Sequence, residues 1–80
     1  MRILIADGNH SLAAEWMQRL RSMGAVVDHV STGAQADAAL ISNEGFDVLL
    51  LDLDLSELNG LRVLENLRER GSRLPVLVVA

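Results

Sequence analysis

Cysteine is absent from the 80 residues, which excludes a disulfide framework, a thiolate nucleophile and any cysteine-held metal cluster. Lysine is absent as well, since all seven basic residues are arginine. A Walker phosphate loop needs a lysine, and no Gly-x-Gly-x-x-Gly occurs either, so nucleotide-binding readings fall. Aromatic residues are limited to Trp16 and Phe46, so any core must be aliphatic. Positive charge is scarce relative to negative, with a net charge of -4. That balance argues against a direct nucleic-acid or anionic-membrane surface. Long apolar runs are missing. The longest extends only from Leu74 to Ala80, far short of a membrane span, and Ile3 to Ala6 is too short for a signal peptide. A soluble, cytoplasmic protein is the expectation.

What is present is enough apolar residue to build a core, at 50% of the chain, within at most one small domain. Met1 to Ala6 reads as a buried strand closed by the turn cluster Asp7-Gly8-Asn9. The spacing predicts a helix from Ser11 to Met23 with Leu12, Trp16, Leu20 and Met23 on one face, ended by Gly24. Ala25 to Val30 reads as a more exposed strand. Thr32 followed by Gln35 is a capping-box pattern. It opens a helix that buries Ala36, Ala39 and Leu40 and breaks at Asn43-Glu44-Gly45. Val48 to Leu51 is apolar without alternation, as in a strand covered on both faces. A polar stretch from Asp52 to Gly60 leads to a helix, Leu61 to Arg70, that should bury Leu61, Leu64 and Leu67 before Gly71 stops it. Leu74 to Val79 is the last strand. The order βαβαβαβ implies an α/β fold with a parallel sheet and right-handed crossovers.

In such a sheet, ligands bind beyond the carboxyl ends of the strands, at the switch point of strand order. Asp7 ends the first strand and Asp52 the third. If those strands are neighbours, the two carboxylates lie about 5 Å apart, one strand spacing. Two unpaired carboxylates at that distance repel. A divalent cation removes the conflict, hard oxygen donors suit Mg2+, and such a cation would neutralise a phosphoryl group arriving at one of them. The plainer reading of an aspartate after a strand is a turn former or helix cap. It weighs more on Asp7 than on Asp52, which directly follows four apolar residues. Asp47 reads as a solvated strand-start residue, and Asp54 as loop polarity or a neighbour of the site. His10 reads as a helix-entry residue and His29 as an exposed strand residue, in separate elements with no ligand pattern around them. Met17, Met23 and Trp16 read as packing. Arg62, Arg68, Arg70 and Arg73 read as a solvated face partly paired with Glu65 and Glu69.

Four segments together carry a resemblance. They are Arg-Ile-Leu-Ile-Ala-Asp at 2–7, Thr-Gly-x-x-Ala at 32–36, Phe-Asp-Val-Leu-Leu-Leu-Asp-Leu-Asp-Leu-Ser-Glu-Leu-Asn-Gly at 46–60, and Leu-Pro-Val-Leu-Val-Val-Ala at 74–80. The chain resembles the receiver domains of two-component response regulators along its whole length, most specifically from Asp52 to Gly60. The resemblance implies a flavodoxin-like, doubly wound parallel sheet truncated after the fourth strand. It implies that Asp52 accepts a phosphoryl group from a sensor histidine kinase to switch an output such as transcription. Asp7, Asp52 and Asp54 would form the Mg2+ site, Asp54 through its backbone carbonyl, and Gly60 would open the third helix close to the sheet.

The chain departs from that family at four places. Gly8 stands where a second acid normally ligates the metal, so Mg2+ should be weakly held. Ala80 stands where a switch hydroxyl follows the fourth strand. No lysine follows a fifth strand, and Ser56 replaces a favoured proline. Two other readings stay open beside the phospho-acceptor. One is a pseudo-receiver that keeps the fold as an interaction module. The other is a haloacid-dehalogenase-type phosphatase, in which Asp52 is the nucleophile and Asp54 the general acid. Residues 1–80 read as the N-terminal portion of a receiver, lacking a fifth strand and its helices. The strand at Leu74 to Val79 is therefore expected to be an edge that pairs with another strand, as in a homodimer. DNA would be reached only through an output domain that these residues do not contain.

Overall fold

A computed structural model describes residues 1–43 and 45–79. The readings placed on Glu44 and Ala80, as part of a helix break and as the residue in place of a hydroxyl, lie outside the described residues. The elements in chain order are β1 (Arg2–Ala6), α1 (His10–Ser22), β2 (Val26–Val30), α2 (Gly33–Ser42), β3 (Val48–Asp52), α3 (Gly60–Glu69) and β4 (Val76–Val79).

All four strands are parallel in the order β2-β1-β3-β4. Alternate residues of a strand face opposite ways, and here both faces are covered. Leu4, Ala6, Leu49 and Leu51 pack against Ala36 and Leu40 of α2 and Val63 and Leu67 of α3. Ile3, Ile5, Val27 and Leu50 meet Ala13, Trp16, Met17 and Leu20 of α1 on the other face. Two-sided burial is why β1 and β3 read as unbroken apolar runs. Each fully buried Leu or Val among them contributes roughly 1.5–3 kcal/mol, and Leu4, Leu49, Leu51 and Val63 have no exposed surface.

Each helix start is capped from the sequence. Asn9, Thr32 and Asn59 accept the backbone N–H of Leu12, Gln35 and Arg62, which satisfies donors that an uncapped first turn leaves open. At α2 the reciprocal bond differs from the standard box. Gln35 reaches back to the Ser31 N–H at 3.0 Å rather than to Thr32.

The structure corrects several expectations. Met23 does not join the buried face of α1. It is the C-cap and is 82% exposed, because the chain turns off into Gly24 at φ 94°. In α3 the inward residues are Val63 and Leu67, with Leu64 partly buried, whereas Leu61 is exposed. Leu61 precedes Val63 by two positions, about 200° around a helix, so one of the pair must face water. The strand β4 begins at Val76, two residues after the expected Leu74. Arg70 pairs with Asp37 of α2 at 3.3 Å rather than with Glu65 or Glu69. The Asp47 carboxylate is not merely solvated, since it accepts the Arg2 N–H at 2.7 Å and ties the start of β1 to that of β3.

The Arg70–Asp37 pair joins α2 to α3 in a partly solvated setting, where ion pairs contribute little. Asp37→Asn is expected to lower stability by less than about 1 kcal/mol, read from the urea midpoint at unchanged slope.

Candidate functional site

The site forms where β1 and β3 end. Their register pairs Ile5 with Leu50 and Ala6 with Leu51. One step further along both strands are Asp7 and Asp52, and by strand alternation both share the face of Ile5 and Leu50. The backbones there are about 5 Å apart. The sheet order thus brings together two carboxylates separated by more than half of the chain.

Their surroundings differ. Asp7 is the buried charged residue of the chain's described part, at 8% exposure. Its N–H donates to the Val30 carbonyl at 3.1 Å, and its Oδ1 accepts the Asn9 N–H at 2.8 Å. Asp52 is half-buried, and its Oδ1 accepts the Asp54 N–H at 2.9 Å, which folds the chain over after β3. The Asp54 side chain is exposed, so Asp54 adjoins the site through its backbone. Among the described residues, none of these three carboxylates takes part in an ion pair. Among the same residues, no three acidic or histidine side chains converge as a ready-made metal cage.

The donor set fits a hard cation. Among the described residues, the Asp7 and Asp52 carboxylates form no salt bridge, and Mg2+ commonly takes one or two carboxylates and completes its shell with water. Gly8 lends no oxygen from a side chain. A Cβ built there would meet only the Ser31 carbonyl oxygen, at 3.6 Å, so a larger side chain has room.

Two glycines hold the loop after Asp52 in place. The Gly60 N–H donates to the Leu53 carbonyl at 3.0 Å. A Cβ at Gly60 would overlap the Asp52 carbonyl oxygen and lie 2.7 Å from the Leu53 Cα. The first turn of α3 is therefore pressed against the Asp52 peptide, as expected for Gly60. The Gly33 N–H donates to the Ser56 carbonyl at 3.0 Å, and a Cβ there would overlap the Leu58 carbonyl. Leu55 is buried in the core between these two clamps. Glu57 lies between them with φ 66°, a backbone region that non-glycine residues seldom occupy.

Gly33 and His29 had no role in the sequence reading of the site. Gly33 stood only within a motif, and its contact spans the separation between α2 and the loop. His29 was expected to be an exposed residue unrelated to His10. It is half-buried, its Nε2 donates to the Asp7 carbonyl at 2.8 Å, and its ring meets that of His10 edge-on with centroids 5.5 Å apart. No local signal announces such a contact, because β2 and the end of β1 meet only in the folded sheet.

A cleft of about 640 Å³ opens at the other end of the sheet, lined by Leu40, Phe46, Asp47, Leu67, Arg70 and Pro75 among others. It lies away from both carboxylates. Among the described residues, no helix is long and apolar enough to cross a membrane.

Comparison with known proteins places these features in context. The response regulator receiver domain family matches residues 3–80. The response regulator protein PmrA of Pseudomonas aeruginosa is 40% identical over 79 residues, covering 99% of this chain and 35% of that protein. The transcriptional regulatory protein TctD of Salmonella typhimurium is 39% identical over 80 residues, again covering 35% of its length. Among solved structures, the receiver domain of the Francisella response regulator 1452 superposes with a TM-score of 0.91 at 23% identity. It is matched over 96% of this chain and 63% of its own, a likeness that speaks for the fold. The chain thus spans about a third of the length of these two curated relatives.

Proposed function

The chain belongs to the response regulator receiver domain family, and from that membership we propose that Asp52 accepts a phosphoryl group from the phosphohistidine of a sensor histidine kinase. The observation that carries this reading is the register of β1 and β3, which sets Asp7 beside Asp52 at the carboxyl edge of the sheet. Asp52 Oδ1 is engaged by the Asp54 N–H, which leaves Oδ2 as the oxygen for in-line attack. The new bond runs from Oδ2 to phosphorus as the bond from phosphorus to the imidazole nitrogen breaks, and the kinase histidine, protonated on its other ring nitrogen, leaves as neutral imidazole. Mg2+, when bound by Asp7, Asp52 and the Asp54 backbone, would neutralise charge on the transferring group. Gly33 and Gly60 keep the loop and the Asp52 peptide in one position throughout.

Incubation with acetyl phosphate and Mg2+ tests the reading, with a one-phosphate mass increase as the expected result. A pseudo-receiver is the second reading, favoured by Gly8 in place of an acid. It predicts an unchanged mass. Family membership displaces the phosphatase alternative, and the role proposed for the chain is regulatory rather than enzymatic.

Gly8→Asp is expected to tighten Mg2+ binding about 10-fold, since a Cβ there meets only the Ser31 carbonyl oxygen and affinity for a hard cation rises with the number of charged oxygen ligands. Calorimetric titration measures it, and unchanged affinity would locate the limit in the loop geometry instead. Residues 1–80 are proposed as the N-terminal part of the receiver. Contact with DNA is proposed to lie in an output domain outside them, in keeping with the name of the TctD relative. Residues 1–80 taken by themselves leave Leu77 and Val78 of β4 60% and 49% exposed. An exposed apolar edge favours pairing, so light scattering of that 80-residue segment across a concentration series is expected to show association, as a homodimer or other strand-edge pairing.

A further inference from the structure

The Asp7 carbonyl is the last acceptor on the β2 side of β1. The ladder between the two strands runs from Arg2↔Val26 to Ala6↔Val30, and the Asp7 N–H extends it by donating to Val30. In a parallel ladder the next bond would bring the Thr32 N–H to the Asp7 carbonyl. That bond is not made: the register ends at Ala6↔Val30, and by Thr32 the chain has turned into the N-cap of α2. The peptide carrying Asp7 would leave the sheet with its carbonyl unpaired in a buried setting, an unfavourable arrangement.

His29 fills that gap. It lies opposite Ile5 in the register, on the same face as Asp7, and its Nε2 reaches the Asp7 carbonyl at 2.8 Å. A carbonyl oxygen only accepts, so Nε2 carries the proton in this bond. The His10 ring packs edge-on against His29 from the first turn of α1, which restricts its rotation. Both histidines of the chain are thus spent on one peptide. The same peptide directs the Asp7 carboxylate, whose Oδ1 is held by the Asn9 N–H two residues on. Carbonyl and carboxylate are fixed from opposite sides.

We infer that His29 is a positioning residue for the acidic site: its Nε2–H to the Asp7 carbonyl substitutes for a missing sheet bond and holds the Asp7 carboxylate at the angle needed to face Asp52. The inference rests on the reading of Asp7 and Asp52 as a shared cation site. It carries particular weight in this chain because Gly8 contributes no second carboxylate, so the orientation of Asp7 has no neighbouring acid to compensate for it. Hydrogen-bond partners of the ligating groups typically change metal affinity 10- to 100-fold when deleted, and His29 acts one step further back, on the peptide that carries the ligand, so the lower end of that range is expected.

The test compares His29→Phe with His29→Gln in the full chain. Phenylalanine keeps a ring for His10 to pack against and loses the donor. Glutamine carries an amide N–H at nearly the reach of Nε2. Two quantities are read: the dissociation constant for Mg2+ by calorimetry, and the hydrogen-exchange rate of the Asn9 amide without metal. His29→Phe is expected to weaken Mg2+ binding about 10-fold and to accelerate Asn9 exchange, while His29→Gln restores both. Wild-type values for both quantities in His29→Phe overturn the inference. Equal damage in the two variants overturns it too, since the ring rather than the donor would then matter. Absence of Mg2+ binding by the wild-type chain overturns the shared-site reading, and the inference with it.

Discussion

Asp52→Asn is expected to leave the fold intact and to abolish the one-phosphate mass increase seen with acetyl phosphate and Mg2+. The substitution is close to isosteric, and the asparagine Oδ1 can still accept the Asp54 N–H that Asp52 accepts at 2.9 Å. What is lost is the anionic oxygen that attacks phosphorus, for which a neutral amide nitrogen is no substitute. The effect is therefore on chemistry and not on stability, and a urea midpoint close to the wild-type value should accompany the loss. Asp54→Asn should reduce modification only modestly, because its side chain is exposed and it adjoins the site through its backbone. Continued phosphate uptake by Asp52→Asn at the wild-type rate would show that another residue is the acceptor.

The largest effects on stability are expected at Gly33 and Gly60. Gly33→Ala would drive a methyl group into the Leu58 carbonyl, and Gly60→Ala would drive one into the Asp52 carbonyl. The obstacles are backbone atoms, which cannot rotate away as a side-chain tip can. Relief requires α2 or α3 to lift off the loop, opening contacts around Leu55, Val63 and Leu67. A loss of more than about 3 kcal/mol is expected at each, at the upper end of overpacking effects. For a chain with only several kcal/mol of net stability, that is enough to populate unfolded protein. Gly24 and Gly71 provide the contrast. They have φ 94° and 83° with nothing within 4 Å of a built Cβ, so alanine there meets only backbone strain of about 1–2 kcal/mol. Urea denaturation of the four variants measures the difference. Equal losses at all four positions would mean that close approach is not what selects glycine at 33 and 60. Any Gly60→Ala protein that stays folded should also take up phosphate poorly, because its Asp52 peptide has been displaced.

The strands and helices were legible because their signals are local. An apolar run bounded by Asp7-Gly8-Asn9 or by Asp52 reads as a covered strand, and the Thr32–Gln35 pattern marks one helix start, whereas Asn9 and Asn59 emerged as caps only in the structure. Local signals fail at the ends of faces. Met23 has the right spacing for the α1 stripe, yet the helix stops one residue earlier and the side chain is left in water. Leu61 looked as apolar as any residue of α3, but the sheet selects the stripe containing Val63 and Leu67, and periodicity over ten residues does not choose between two overlapping stripes.

By itself the sequence determined the alternation of elements, the aliphatic core, the family and the two aspartates that close β1 and β3. Each of these depends on composition or on residues within a few positions of one another. Only the tertiary structure decided how the site is held. The alignment of Asp7 with Asp52 comes from the β1–β3 register. The requirement for glycine at 33 and 60 comes from backbone passing backbone. The bond from His29 to the Asp7 carbonyl comes from a ladder that ends where α2 begins. The physical reason is the same in all three cases: the deciding contact joins residues 8 to 45 positions apart, and its energy exists only once the sheet has assembled.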